Sequence, residues 1–260
     1  MAEPIHDLSR ARIMIANDDG VDAPGIKLLE KVARTLSKDV WVIAPEGEQS
    51  AVAHSLTLRR PLRIKKLGKQ KYSIDGTPTD SVLLGIQEVL KDKKPDLLLS
   101  GINFGGNLAD DVTYSGTIAA AMEGTMLGVP SIAFSQLIIG DHKIHWATAE
   151  TWAAKVIKKV TAIGWPKDAL INVNFPDVPA AKVKGIAIVE QGRHKLGDEI
   201  SRRVDPRGRP YYWIGGLRIE DRGTPDTDLD AVSRGMVSVT PLSLDLTHRA
   251  GLREMKKRFR

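Results

Sequence analysis

The sequence predicts an α/β fold, a Rossmann-like three-layer αβα sandwich with a mostly parallel sheet. Three observations support this prediction. Short apolar runs recur along the chain, and each is followed by a loop of small and polar residues and then by a segment with helical spacing. The runs are nearly continuous, as in strands that are buried on both faces. Strands that alternate with helices build a parallel sheet covered on both sides.

Each element of this pattern has its own signal. The first strand is predicted over Arg12–Ala16, and Pro24 then occupies a favourable position at the start of a helix. The remaining strands are predicted over Val40–Ala44, Asp96–Ser100, Ser131–Ser135 and Leu170–Val173. The remaining helices are predicted over Thr77–Leu90, Thr117–Leu127 and Trp146–Ile163. A looser hairpin pairs Leu56–Leu67 with Tyr72–Ile74.

The pattern changes after about Gly185. Strand-like segments at Gly185–Glu190 and Tyr211–Ile214 flank an Arg-, Gly- and Pro-rich stretch with a turn signal at Asp205–Gly208, which predicts a protruding β-hairpin arm. Because an isolated two-stranded arm is marginal in water, we expect it to pack on another subunit. A late strand, Met236–Pro241, and a basic helical tail follow. One domain over 1–260 is therefore expected, with a core over 1–185 and an arm and C-terminal segment over 186–260.

The composition limits the chemistry and the location. The 260 residues include no cysteine, which excludes disulfides, thiolate metal sites and a cysteine nucleophile, so a metal site must use oxygen or imidazole ligands. No run approaches the roughly 20 apolar residues that cross a bilayer. The N-terminal residues lack an apolar signal region, and the expected location is cytoplasmic, without a membrane partner.

The formal charge of +6 at pH 7 is concentrated at the C-terminus. Residues Arg249–Arg260 carry six basic side chains and one acid, so the rest of the chain is close to neutral. A basic tail of this kind is typical of a solvated helix end, although it can also contact phosphates. No stable nucleic-acid partner is expected from this distribution.

The loop after the first strand is rich in carboxylates. In open α/β sheets ligands bind at the carboxyl ends of the strands, and there the chain reads Asn17-Asp18-Asp19-Gly20. Adjacent carboxylates suit Mg²⁺, Mn²⁺ or Ca²⁺. The alternative is that Asp19 caps the following helix while Asp18 is solvated.

Three further loops fall on the same edge. Pro45–Ser50 supplies a hydroxyl and more acids, although on its own it could be an ordinary surface loop. Ser100–Asn107 is more specific, because it supplies glycines and amide oxygens. Tyr114–Thr117 places hydroxyls and free N–H groups at a helix start, which suits a phosphate or, more simply, a helix cap. Together the loops predict a divalent metal held against a bound phosphate.

These motifs resemble those of the SurE (survival protein E) nucleotidase family. The resemblance extends over nearly the whole chain, and its motifs occur in the family's order: Asn17–Gly20, Ala44-Pro45 with Gln49-Ser50, Gly76–Asp80, Ser100–Asn103 with Gly106-Asn107, Tyr114–Thr117, Glu123-Gly124, Gly128–Pro130, Thr227-Asp228 and Val237–Leu242.

The resemblance implies a phosphoric monoester hydrolase that acts on nucleoside 5′- and 3′-monophosphates, and in some members on short polyphosphate. One divalent ion per subunit, Mg²⁺ or Mn²⁺, is implied. Subunits of the family form dimers or tetramers that exchange the arm and the C-terminal segment. Carried over motif by motif, the implied metal ligands are Asp18, Asp19, Ser50 and Asn103. The implied phosphate-binding residues are Asn107, Ser115, Gly116 and Thr117.

The implied mechanism gives catalytic roles to Asp18, Asp19 and Asn107. Asp19 is the more plausible proton acceptor for an attacking water, and direct attack by an Asp is an open alternative. A haloacid-dehalogenase-type phosphatase is excluded, because Gly20 stands where its second Asp is required. A phospho-receiver domain is also disfavoured, because the chain has Pro45 or Ser100 where such a domain requires its acceptor Asp. A non-catalytic nucleotide- or RNA-binding module is an open alternative because of the phosphate pocket and the basic tail, although it would not need the paired carboxylates.

Two histidine segments depart from the family pattern or stand outside it. Ala51–His54 replaces the family's usual Gly and small residues, and His54 is either a surface residue or a substrate contact. His142 and His145 have the spacing of metal ligands, but they precede a helix without an acidic partner in sequence. We therefore interpret this pair as structural.

Overall fold

The computed structural model describes residues 3–193, 200–214 and 224–259. Its strands are β1 (Arg12–Ala16), β2 (Asp39–Pro45), β3 (Ile64–Gly68), β4 (Lys71–Ile74), β5 (Leu97–Phe104), β6 (Ser131–Gln136), β7 (Ala169–Phe175), β8 (Ile186–Ile188), β9 (Ile200–Val204), β10 (Pro210–Ile214) and β11 (Val237–Ser243). Its helices are α1 (Pro24–Arg34), α2 (Pro78–Leu84), α3 (Gly116–Met126), α4 (Trp146–Ile163), α5 (Asp228–Ser233) and α6 (Arg249–Arg258).

The main sheet has nine strands in the order β3-β4-β2-β1-β5-β6-β7-β11-β8. The strands from β4 to β7 in this order are parallel to their neighbours, whereas β3 against β4 and β11 against β7 are antiparallel. The predicted α/β fold with a mostly parallel sheet is confirmed. Because the strands are parallel, the loops after β1, β2, β5, β6 and β7 all meet at one edge, which we call the carboxyl edge.

Helices cover both faces of this sheet, and β1 shows why. Ile13 and Ile15 pack into the core beneath α1 and α4, while Met14 points to the opposite core beneath α2 and α3. All three side chains are fully buried. A strand with apolar residues on both faces has to be covered on both sides, and each such side chain contributes about 1.5–3 kcal/mol on burial.

Local signals explain where the helices begin. Pro24 is the first residue of α1, as predicted. Thr77 accepts a hydrogen bond from the N–H of Asp80, and the Asp80 carboxylate accepts one from the N–H of Thr77, so α2 begins with a complete capping box. The predicted helix continues beyond α2 as a wider π-helical turn over Gly85–Val89.

The arm differs in one respect from the prediction. β10 pairs with β9 in a separate antiparallel two-stranded sheet around the turn at Asp205–Gly208, with Gly208 at φ +78°. The predicted segment Gly185–Glu190 is not part of that hairpin, because β8 pairs with β11 in the main sheet. Both arm strands are exposed along their whole length. The arm residues 194–199 lie outside the described residues, as do 215–223.

The C-terminal part contains one helix that the sequence pattern does not indicate. α5 is only six residues long and begins with the Thr227 cap, and β11 then enters the sheet between β7 and β8. The predicted basic helix is confirmed as α6, which is exposed. Among the described residues, no helix has both the length and the apolar character needed to cross a membrane.

Candidate active site

The first loop of the carboxyl edge turns sharply after β1. Asn17 is fully buried, and its side-chain amide donates to the carbonyl of Gly20 at 2.9 Å, which closes the turn. Gly20 has φ +99°, a conformation that disfavours residues with a side chain. Asn17 Oδ1 is buried and has no hydrogen-bond partner among the described residues. The turn therefore presents Asp18 and Asp19 in fixed positions beyond the strand.

Asp18 is buried against the start of α3. Its carboxylate accepts hydrogen bonds from the hydroxyl and the N–H of Thr117. A side chain at Gly116 would have its Cβ only 2.7 Å from Asp18 Cβ, so glycine is required for this close approach. Burial raises the pKa of Asp18 despite these hydrogen bonds. The positive end of α3 thus partly offsets the cost of a buried carboxylate.

Asp19 lies beside Asp18 and is less buried. Burial is the largest cause that raises the pKa of Asp19, to about 6, and the charge of Asp18 adds to it. A hydrogen bond from the Phe104 N–H acts in the opposite direction, and the charge of Glu48 raises the pKa further. Neither aspartate forms an ion pair with a basic side chain of the described residues, and no basic group is among the main causes of either pKa shift. The two carboxylates therefore form a site of uncompensated negative charge.

The second loop lies directly against the first. The N–H of Gln49 donates to the carbonyl of Asp18 at 2.8 Å, which brings the adjacent Ser50 to this edge. Ser50 is exposed, and its hydroxyl donates to Glu48 Oε1 at 2.9 Å. Glu48 also lines a cavity together with Asp19. The loop therefore contributes a hydroxyl and a third carboxylate close to the aspartate pair.

The third loop contains both predicted asparagines in different environments. Asn103 is half-buried, and its side-chain amide donates to the carbonyl of Gly105 at 2.9 Å. This bond leaves Asn103 Oδ1 as the atom that is available to a cation, since no donor of the described chain reaches it. The neighbouring Phe104 supplies the N–H that contacts Asp19. β5 therefore carries a potential carbonyl ligand to the acidic site.

Asn107 is buried and held by four hydrogen bonds. Its N–H donates to Asn174 Oδ1 at 2.8 Å, and its side-chain amide donates to the Ser135 hydroxyl at 2.8 Å. Its carbonyl accepts from the side chains of Asn172 at 2.8 Å and Asn174 at 3.0 Å. We call Ser135, Asn172 and Asn174 the asparagine clamp. Through it, β6 and β7 fix the loop that connects β5 to α3.

The fourth loop forms the N-terminus of α3. Ser115 is the helix cap, and its hydroxyl oxygen accepts from the N–H of Ile118 at 3.1 Å. Thr117, predicted as a phosphate contact, is bonded to Asp18 in this structure. The structure thus brings Asp18, Gly116 and Thr117 into direct contact. The metal-binding, phosphate-binding and catalytic roles of all the predicted residues stay predictions: Asp18, Asp19, Ser50, Asn103, Asn107, Ser115, Gly116 and Thr117.

Some residues that shape this edge were missed by the sequence interpretation. Glu48 was seen only as an acid in a loop. The two clamp asparagines alternate on one face of the buried strand β7, and polar residues at such positions are the signal that could have indicated a polar contact. Asp228 is fully buried and accepts hydrogen bonds from the N–H groups of Ala109 and Gly192, at 2.9 and 2.8 Å. It holds the segment before α3 to the C-terminal part.

The histidines have carboxylate neighbours that the sequence did not indicate. His54 is exposed, as expected of a surface residue, and its Nε2 lies 2.9 Å from Oε2 of the buried Glu123 in α3. A contact of His54 with substrate stays a prediction. The interpretation of His142 and His145 as lacking an acidic partner is wrong. Asp177, which follows β7, places Oδ2 at 2.9 Å from His142 Nε2. The sequence could not show this contact, because Asp177 follows β7 whereas His142 lies in the loop after β6.

The fold and this edge define an α/β protein with an uncompensated acidic site beside a helix N-terminus. Comparison with known families then adds a specific match: the family described as Survival protein SurE matches residues 13–198. The chain belongs to the SurE family, and the resemblance seen in the sequence motifs is confirmed.

Named relatives agree over nearly the full length. A protein of Paramagnetospirillum magneticum named 5'-nucleotidase SurE is 61% identical over 256 residues, which cover 98% of each chain. A protein of Rhodospirillum rubrum with the same name is 53% identical over 253 residues, which cover 95% of each chain. The crystal structure of the Sure protein from Aquifex aeolicus is 41% identical, with a TM-score of 0.84 over 95% of this chain and 99% of that one.

Proposed function

We propose that this chain is a divalent-metal-dependent phosphatase that hydrolyses nucleoside 5′-monophosphates to nucleoside and phosphate. The observation that carries the proposal is the pair Asp18 and Asp19, which lies without a basic partner beside the N-terminus of α3. The name 5'-nucleotidase SurE of the relatives supports the same substrate class. Activity on 3′-monophosphates and on short polyphosphate is part of the proposal, as the family resemblance implies.

The donor set fits a hard divalent cation. Asp18, Asp19, Ser50 and Asn103 offer only oxygen atoms, which is what Mg²⁺ and Mn²⁺ prefer. The raised pKa values of the two aspartates support this proposal, because a cation would supply the missing positive charge. When bound, the cation neutralises charge on the phosphoryl group and polarises its oxygens.

The residues around α3 are proposed to hold the phosphate. Gly116 and Thr117 lie at the positive end of the helix dipole, and Ser115 and Asn107 are buried polar residues on either side of the same loop. The asparagine clamp keeps Asn107 in place. Fixed N–H groups of this kind stabilise negative charge that develops during phosphoryl transfer.

Asp19 is proposed to accept the proton of the attacking water. A general base has to lie within hydrogen-bond reach of the proton that it accepts. Asp19 is less buried than Asp18 and lines the cavity beside the site, so it is the more accessible of the two carboxylates. Asp18 is committed to Thr117 and is therefore the better fixed group.

A cavity beside Asp19 offers space for the nucleoside. It has a volume of about 300 Å³ and is lined by Asp19, Glu48, Phe104, Trp146 and Ala23–Gly25. The rings of Phe104 and Trp146 lie 6.4 Å apart at 56°, and the Phe104 side chain is largely exposed. Aromatic faces stack on any nucleobase, so this wall is suited to several bases.

The proposed assembly is a homodimer or homotetramer, formed through the arm and the C-terminal segment of 186–260. Supporting it, Tyr211, Tyr212, Trp213 and Ile214 are all exposed on β10, between 42% and 75%. A two-stranded sheet with this composition gains stability when another surface covers it. Deleting residues 200–214 is expected to lower the mass in solution, and an unchanged mass would contradict this assembly. The proposed location is the cytoplasm.

Hydrolysis assays test the proposed function directly. Purified protein is incubated with 5′- and 3′-monophosphates of each nucleoside, and with tripolyphosphate, in Mg²⁺, in Mn²⁺ and in excess chelator. We expect phosphate release that depends on the metal and is lost in the Asp19→Asn variant. Full activity in chelator would contradict metal dependence, and no release from any monophosphate would contradict the substrate class.

A further inference from the structure

A second group of metal-binding side chains lies on the carboxyl edge, apart from the aspartate pair. His142 and His145 come from the loop between β6 and α4, and Asp177 comes from the segment after β7. One nitrogen of each histidine and one carboxylate oxygen of Asp177 all lie within 4.8 Å of one another. The two imidazole rings are 5.3 Å apart between centroids. The fold thus gathers three ligands that are distant in sequence.

The separations suit a small cation with imidazole ligands. In tetrahedral geometry, two ligands at the usual zinc distance of about 2.1 Å are roughly 3.4 Å apart. The distance from His142 Nε2 to Asp177 Oδ2 is 2.9 Å, and the widest separation in the group is at most 4.8 Å. These values bracket the required spacing, so small side-chain rotations are sufficient to form the site.

The hydrogen bonds around the group orient it for a ligand. His142 Nδ1 donates to the carbonyl of Lys143 at 2.9 Å, and Nε2 shares a proton with Asp177 Oδ2 at 2.9 Å. A cation bound by Nε2 and Asp177 takes the place of that proton, which is released to water, while the bond from Nδ1 keeps the ring oriented. Asp177 Oδ2 accepts from the N–H of Ile139 at 2.7 Å. The Asp177 side chain is only 5% exposed, and its Oδ1 has no hydrogen-bond partner among the described residues. A buried oxygen without a partner is costly and is what a cation would satisfy.

We propose that His142, His145 and Asp177 form a second cation site, which takes a transition-metal ion of the Zn²⁺ class and is separate from the Mg²⁺ or Mn²⁺ site at Asp18 and Asp19. Two imidazoles and one carboxylate favour Zn²⁺, Co²⁺ or Ni²⁺, whereas the aspartate site offers only oxygen. Three protein ligands leave a fourth position for water. The two sites therefore differ in the metal that they select.

The ion has a positioning role. It joins the loop after β6 to the segment after β7, and His145 is followed directly by Trp146, the first residue of α4 and a wall of the nucleoside cavity. Filling the site fixes that wall. This consequence, which rests on the proposed function, is a lower KM for nucleoside monophosphates with an unchanged kcat.

Zinc binding is measured in a background that removes the first site. In the Asp18→Asn, Asp19→Asn double variant, titration of metal-free protein with Zn²⁺ is expected to give one bound ion per chain. Adding His142→Gln and His145→Gln is expected to weaken Zn²⁺ binding at least tenfold. His54→Gln is the matched control: His54 also lies 2.9 Å from a carboxylate, but the metal-ligand group does not include it. This variant is expected to bind Zn²⁺ as before.

Further readouts keep the test independent of variant folding and of the enzymatic activity. Co²⁺ added to the otherwise unaltered chain is expected to give visible absorption bands of a tetrahedral or five-coordinate site, and Zn²⁺ is expected to displace them. Absence of these bands, or equal Zn²⁺ affinity with and without the two histidines, would overturn the second site. Failure of the hydrolysis assay would leave the Zn²⁺ result unaffected, so the two proposals can fail separately. If His145→Gln leaves KM unchanged in saturating Mg²⁺ and Zn²⁺, the positioning role is wrong.

Discussion

The two edges of the parallel sheet carry the same kind of residue in opposite electrostatic settings. At the edge where the strands begin, the Arg12 guanidinium lies 2.8 Å from Asp39 and 3.2 Å from Asp92. Burial, the largest influence, raises the pKa of Asp39, but hydrogen bonds from Arg12 and Trp41 outweigh it, and the net pKa is lowered. We call this the amino edge.

At the carboxyl edge the pair Asp18 and Asp19 has no such compensation among the described residues. Burial raises the pKa values of both Asp18 and Asp19, the charge of Glu48 adds to both, and the charge of Asp18 adds to that of Asp19, while no basic group is among the main causes. An acidic cluster with its own arginine is complete as a structural element, whereas one without a counter-charge is suited to an external cation. The comparison teaches that missing positive charge marks the functional edge more clearly than the number of carboxylates.

The largest expected effect comes from neutralising one acid at each edge. Asp19→Asn is expected to lower kcat/KM for a nucleoside 5′-monophosphate by about 1000-fold, because a metal ligand and a proton acceptor contribute several kcal/mol to catalysis. Asp39→Asn, at the amino edge, is expected to leave kcat/KM within about threefold. Steady-state assays of both variants measure the difference. Equal losses would break the distinction between the edges.

A smaller loss is expected when Asp18 is displaced without a change of charge. Gly116→Ala places a methyl group 2.7 Å from Asp18 Cβ and 3.0 Å from its Oδ2, so the carboxylate has to move. A displacement of about 1 Å can reduce the rate about 100-fold. Gly47→Ala in the neighbouring loop is the control, since its Cβ meets nothing within 4 Å. Full activity of Gly116→Ala would show that the position of Asp18 is not critical.

A substitution at the amino edge is expected to lower the stability of the fold and to leave the activity unchanged. Arg12→Met leaves Asp39 and Asp92 without their arginine and removes the bond to the Lys93 carbonyl at 2.9 Å. We expect a loss of about 2 kcal/mol in the free energy of unfolding, since both carboxylates retain some contact with water. Urea unfolding measures this loss. Arg34→Met, which breaks an exposed pair with Glu30, should cost less than about 0.5 kcal/mol.

The smallest effect is a difference in how stability depends on pH. The ordinary pKa of an aspartate is 3.8 and the pKa of folded Asp19 is about 6, so between these values the folded chain binds more protons than the unfolded chain. Its contribution in metal-free protein therefore falls as pH rises through this window, by about 1 kcal/mol after allowance for partial exposure. Asp39, with a lowered pKa, contributes stability that is lost as pH falls.

Unfolding in chelator between pH 4 and pH 7 measures this dependence. Asp19→Asn should reduce the fall in stability with rising pH, and added Mg²⁺ should offset it in the unaltered chain. Asp39→Asn should instead reduce the acid sensitivity. Identical pH profiles for both variants would remove the electrostatic contrast between the edges.

The sequence was sufficient for the parallel core and for the loops of the carboxyl edge. Apolar runs predicted β1 and β6 closely, and α4 begins and ends at the predicted residues, because local signals determine these elements. β8 was wrongly assigned to the arm hairpin, and α5 was not predicted. β8 has three residues and depends on β11 for its place in the sheet, and α5 has only six, so neither has a local pattern of its own.

The candidate site shows the same limit at the level of side chains. Asp18 and Asp19 stood out because paired acids after a strand are unusual. The contact of Asp18 with Thr117 joins residues that are 99 positions apart in the sequence, and the contact of His142 with Asp177 joins residues that are 35 positions apart. Such contacts depend on the order of strands in the sheet, which the pattern of a single strand cannot reveal.

The asparagine clamp has a consequence for engineering. Anyone who seeks a more stable variant would replace Asn172 and Asn174 by valine, because both occupy fully buried positions in a strand of apolar residues. That change improves the strand and releases the Asn107 carbonyl and N–H from their partners. Because those buried backbone groups would then lack partners, the substitution is expected to lower the melting temperature, and thermostability screens should leave both positions fixed.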